Sequence, residues 1–69
     1  MDDPIVEPRL WKQRIEAMNL SLTEIARLSG ISHSTLSRGF SGNWNFELNT
    51  IRRVSSVILK EENRLREYL

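Results

Sequence analysis

The stretch from 21 to 40, SLTEIARLSGISHSTLSRGF, constrains this chain more than any other. Ser21 followed by Glu24 has the chemistry of a capping box, in which the hydroxyl accepts from the Glu24 amide and the carboxylate from the Ser21 amide. From that start Leu22, Ile25, Ala26 and Leu28 fall on helical spacing and leave Thr23, Glu24 and Arg27 for solvent. Gly30 supplies the positive φ that ends a helix in a left-handed residue, and Ile31 is expected to pack back across the turn. Ser32 has the chemistry of a second N-cap, and the segment from His33 to Phe40 carries Leu36 and Phe40 one turn apart. Two short helices joined by a three- or four-residue turn make a helix-turn-helix, and the pattern predicts one over about 21–40.

What surrounds that stretch narrows the class of protein. Sixty-nine residues make one domain, near the lower limit for a core without cross-links. With no cysteine, neither a disulfide nor a thiolate metal site can form, which suits a reducing cytoplasm, the expected location. No metal or other cofactor is expected, because His33 is the single histidine and no small-molecule site is evident. No apolar run approaches the ~20 residues that cross a bilayer, and the acidic start Met1-Asp2-Asp3 is unlike a signal peptide. An enzyme is not expected either: serines are abundant, but His33 alone could serve them as a base.

The formal net charge is only +1, yet it is unevenly spread. Residues 1–7 carry −3, residues 8–60 carry eight bases against three acids for +5, and residues 61–69 carry −1. A basic middle between acidic ends fits a body that faces phosphate with its ends turned away.

Residues 1–8 hold both prolines and read as a flexible N-terminal arm, from which Ile5 and Val6 can clip onto the core. The remainder, 9–69, reads as a single helical domain. Pro8 or Arg9 opens the first helix, where Trp11, Ile15 and Met18 form an amphipathic stripe. Asn19 is a left-handed stop, and Leu20 is the apolar residue before the Ser21 cap. The segment Ser41-Gly42-Asn43-Trp44-Asn45-Phe46 reads as a loop, with Phe46 expected to fold under it as a lid and Trp44 either buried or facing a phosphate. A last helix over about 48–68 buries Ile51, Val54, Val57 and Ile58 and points Arg52 and Arg53 elsewhere. Either it is one long helix, or it bends near Leu59-Lys60 into a fifth. Leu65, Tyr68 and Leu69 would give its end an apolar patch.

The spacing Ile25-Ala26-x-x-x-Gly30-Ile31-x-x-x-x-Leu36 resembles the helix-turn-helix of the lambdoid phage repressor and Cro proteins and their bacterial relatives, the xenobiotic-response-element class of regulators. Ala26 matches the position where that family's two helices touch, and Gly30 its turn glycine. The resemblance covers roughly 11–58 and implies an all-α, four- or five-helix, lambda-repressor-like DNA-binding domain. It implies a transcriptional regulator, most simply a repressor, that binds a pseudo-palindromic operator in double-stranded DNA as a homodimer, with the C-terminal helix as a subunit contact. In such a domain the second helix of the motif enters the major groove. The base-reading candidates are then His33, Ser34, Thr35, Ser37 and Arg38, and the Arg38 guanidinium has the geometry for guanine O6 and N7. Phosphate contacts are expected at the two helix starts, from Ser21, Thr23 and Ser32, and from Asn43, Trp44 and Asn45 in the loop. Arg9, Lys12, Arg14, Arg52 and Arg53 are further electrostatic candidates.

The chain departs from that family at several places. Leu22 stands where a phosphate-touching glutamine is common, and the loop is rich in Asn, Trp and Phe rather than Lys and Arg. Ile15 and Phe40 match an arginine and a glutamate that pair in many relatives, so a hydrophobic contact is expected in place of an ion pair. Gly39 replaces a larger apolar residue, which predicts an early end to the recognition helix. The modest net charge and aromatic loop leave a second reading open, a helix-turn-helix-shaped protein-interaction or antitoxin-like module using Trp44, Phe46 and the C-terminal helix.

Overall fold

Specific side chains or backbone angles set most of the helix ends. The computed structural model describes residues 4–42 and 44–67. Within them the order is α1 (Pro8–Ala17), α2 (Leu22–Ser29), α3 (His33–Ser41) and α4 (Leu48–Arg66), an all-α arrangement. Helix α1 opens on Pro8 at a first-turn position, where the missing amide would have had no helical partner. It closes on Asn19, whose φ of 62° is left-handed. The Leu20 amide reaches the Ile15 carbonyl at 3.2 Å and the Asn19 amide that of Glu16 at 2.9 Å, which uses two of the free carbonyls at the helix end.

Helix α2 is capped by Ser21, whose hydroxyl accepts the Glu24 amide at 3.2 Å. The reciprocal half of the expected capping box is not made. Glu24 instead accepts from the Arg27 guanidinium at 2.7 Å, one turn further on. A charge-assisted bond outcompetes a neutral amide that water can serve. At the other end Gly30 has φ 72°, and the amides of Gly30 and Ile31 both donate to the Ala26 carbonyl. Three residues, 30–32, thus join α2 to α3, which Ser32 caps by accepting the Thr35 amide at 3.1 Å.

The expectation that Gly39 would end α3 early is overturned, since the helix runs on to Ser41. A Cβ at Gly39 would collide with Cε1 of the Phe46 ring, so the space that glycine leaves is filled from across the loop. Phe46 is half-buried against the core, as its role as a lid requires. Helix α4 is continuous for 19 residues with no break at Leu59-Lys60, so of the two arrangements left open the single long helix is the one formed. Tyr68 and Leu69 lie outside the described residues, while Leu65 is half-buried.

Helix α2 packs against both α3 and α4, and α1 packs against α4. The core they enclose holds Val6, Trp11, Ile15, Ile25, Ala26, Leu36, Val54 and Ile58. Leu28, expected inside, is 40 % exposed. The buried face of α2 is Ile25, Ala26 and Ser29, so Ser29 takes the position a full two turns from Leu22 and Leu28 falls on the flank. From the arm, Val6 is in the core and Ile5 is not, so packing extends upstream of Pro8. The Trp11 indole N–H donates to the Val6 carbonyl at 2.8 Å, which gives the buried ring's one polar atom a partner. Across the molecule Arg14 pairs with Glu62 through two hydrogen bonds and ties α1 to the last turns of α4. No described helix is long and apolar enough to cross a membrane.

Candidate nucleic-acid interface

Helix α3 is anchored by the fully buried Leu36 and the half-buried Phe40, and its other side chains are polar. His33, Ser34, Thr35 and Arg38 are exposed, and Ser37 is half-buried. The Thr35 hydroxyl is engaged with that of Ser32 at 2.7 Å. Ser37 lines a hollow of about 430 Å³ with Lys12, Ile15, Leu20 and Phe40. The structure therefore divides the five candidates. Of the five, the Thr35 hydroxyl alone is hydrogen-bonded to a described residue; His33, Ser34 and Arg38 are exposed and unbonded, and Ser37 is unbonded but half-buried. Ile15 and Phe40 line the same hollow, and Ile15 is buried, in keeping with an apolar contact there.

The hydroxyls of Ser21 and Ser32 serve as helix caps, so what those helix starts offer a phosphate is their backbone amides and the positive end of the helix dipole. Thr23 and Asn45 are exposed. Asn43 lies outside the described residues. Trp44 is neither buried nor fully free: it is 39 % exposed and meets Phe40 edge-on at 5.1 Å. Its φ of 60° is one that residues with a Cβ seldom adopt. Phe40 continues inward to Phe46 at 5.6 Å and Phe46 to Trp11 at 4.8 Å, so a ladder of rings joins the loop to the core. A hollow of about 410 Å³ brings Arg38 and Thr35 to one surface with Asn45, Glu47 and Thr50.

Ion pairing decides which cations can act on a partner. Arg9, Arg14, Arg27 and Arg64 bond to Glu7, Glu62, Glu24 and Glu61. The hydrogen bond to Glu62 is the main reason that Arg14 holds its proton more tightly than an ordinary arginine, and that to Glu24 does the same for Arg27. Lys12, Arg38, Arg52, Arg53, Lys60 and Arg66 are left, and none of them pairs with a described carboxylate. Two electrostatic candidates, Arg9 and Arg14, are thus already paired with a carboxylate. Lys60, not singled out from the sequence, is free. Its signal lay in the spacing of Asn49, Arg52, Arg53, Ser56 and Lys60, which repeats every three to four residues along one face of a helix.

Compared with known proteins, the chain matches no family model, no curated protein and no solved structure. Among the described residues its geometry is four helices, a capped pair joined by a three-residue turn, and an exposed polar face on the second of that pair.

Proposed function

We propose that this chain is a sequence-specific duplex-DNA-binding regulator with a repressor-like helix-turn-helix, and that α3 reads the major groove. The observation that carries the reading is the division of α3, with Leu36 buried under it and His33, Ser34 and Arg38 exposed and unbonded on its outer side. A helix start of this kind fits the major groove, and short polar side chains followed one turn later by an arginine suit base edges. Arg38 is assigned to a guanine, with His33 and Ser34 beside it. The N-termini of α2 and α3 take flanking phosphates, and Asn45 and Trp44 lie along the backbone. A homodimer on a pseudo-palindromic site completes the reading, since one short α3 covers only a half-site, and half-sites repeat at ~34 Å. The protein acts by binding, most simply as a repressor in the cytoplasm, and not by catalysis.

The alternative of a protein-interaction module draws on Trp44, whose exposed ring and left-handed backbone are unusual in a chain this small. Phe46 no longer supports that alternative, because the core uses it. The test is fluorescence anisotropy of a labelled random duplex at two salt concentrations, with wild type and Arg38→Ala. Binding that weakens steeply with salt and on loss of Arg38 is expected. Failure of micromolar wild-type protein to bind at low salt would sink the proposal and turn attention to a protein partner at Trp44.

A further inference from the structure

We infer that the duplex is held electrostatically in a groove between the end of α2 and the outer face of α4, where Arg52, Arg53 and Lys60 meet the phosphate backbone. The inference rests on the DNA-binding reading and names the site that supplies most of its attraction. The groove measures about 600 Å³, and its walls include those three cations with Asn49 and Ser56. All three are exposed, and none pairs with a described carboxylate. The one acid on the wall, Glu61, is already bonded to Arg64 at 2.8 Å.

Helical rise sets Arg53 and Lys60 about 10 Å apart along the axis. That is close to the Debye length of ~10 Å at 0.1 M salt, so the cations present one continuous positive field. The field borders the reading helix. The Arg53 guanidinium lies 3.7 Å from where a Cβ would stand on Gly30, in the turn that leads directly to Ser32 and α3. Helix α3 itself contributes one unpaired arginine, Arg38, too little to supply a polyanion's attraction, which grows with each phosphate neutralised. Of the six cations that pair with no described carboxylate, three line this single groove. An acidic protein segment would meet the same charges, but the wall offers it few apolar contacts beyond Leu28 and Val57, whereas phosphates need only the cations and the uncharged donors beside them.

The test follows the affinity for a labelled random duplex between about 50 and 200 mM salt, for wild type, Arg38→Ala and the triple variant R52Q/R53Q/K60Q. Three lost phosphate contacts should flatten the slope of log affinity against log salt by about 2 to 3 and weaken low-salt binding more than tenfold, whereas Arg38→Ala flattens it by no more than about 1. Wild-type binding with an unchanged slope in the triple variant would overturn the groove while leaving the DNA reading intact. Absence of any wild-type binding would overturn both. Capture of poly-L-glutamate by wild type but not by the triple variant, with the DNA slope unaffected, would give the groove to an acidic protein and likewise overturn the inference. Lys60→Glu alone, a fully surface change, must weaken duplex binding too, which covers the case of a triple variant that fails to fold.

Discussion

The Ser55 hydroxyl bonds to both polar groups of Val6, accepting its N–H at 2.9 Å and donating to its carbonyl at 3.3 Å. Ser55 is fully buried in the middle of α4, so this pair clips the segment before α1 onto the far helix. Ser55→Ala would leave the buried Val6 amide unsatisfied and should cost about 1–3 kcal/mol, read from the midpoint of chemical denaturation. Hydrogen exchange at the Val6 amide should accelerate in the variant. An unchanged midpoint with the amide still protected would show that the clip contributes nothing.

Gly39 and Phe46 form a second cross-loop relationship. The Phe46 ring occupies the place of a side chain on α3 and is itself backed by Trp11 at 4.8 Å and Phe40 at 5.6 Å, which limits its retreat. Gly39→Ala would normally favour a helix by ~1 kcal/mol. Here overpacking of ~1–3 kcal/mol opposes that gain, so a net loss of thermal stability is expected. Adding Phe46→Leu to Gly39→Ala should recover part of the loss. A melting temperature raised by Gly39→Ala would refute the fit.

These two relationships explain which parts of the fold could be read in advance. Caps and stops act within one turn, so Ser21, Ser32, Asn19 and Gly30 declared the helix ends, and the Trp11-Ile15-Met18 stripe declared the buried side of α1. Gly39 reads as a helix breaker until Phe46, seven residues away, is known to need its space. Nothing local marks Ser55 for burial, because its partner is 49 residues upstream. Glu24 was expected to complete a cap, but the choice between an amide and Arg27 is a contest between two local partners that spacing does not resolve. Of the candidate interface, the exposure of His33, Ser34 and Arg38 was legible from periodicity. The free or paired state of each cation was not, because Arg14 finds its partner 48 residues away.

The Arg14–Glu62 pair joins α1 to the end of α4, with side chains 34 % and 22 % exposed. A double-mutant cycle with Arg14→Ala and Glu62→Gln should give a coupling of about 0.5–1 kcal/mol, diminished by salt, as for partly solvated pairs. Glu62 raises the Arg14 pKa above the unfolded value, chiefly by its hydrogen bond. A raised basic pKa contributes stability below the unfolded value that is lost only as pH climbs through the folded one. For an arginine that window is strongly alkaline, so Arg14's own ionisation should add no slope to stability between pH 6 and 9. Unfolding free energies from urea titrations of wild type and Arg14→Ala should therefore differ by a constant amount over that range, and a gap that changes by about a kcal/mol or more would contradict the assignment.

Trp44 reports on the loop that follows α3. Trp11 is fully buried and Trp44 is 39 % exposed, so acrylamide should quench the emission of Trp44 and spare that of Trp11. Trp44→Phe keeps a ring against Phe40, and the remaining fluorescence, from Trp11 alone, should then resist the quencher. If the loop lies along a DNA backbone as proposed, a saturating duplex will shield Trp44 in the wild type and leave the Trp44→Phe signal as it was. A complex in which acrylamide still reaches Trp44 as freely as before would place this loop away from the duplex and return its exposed ring to the protein-partner reading.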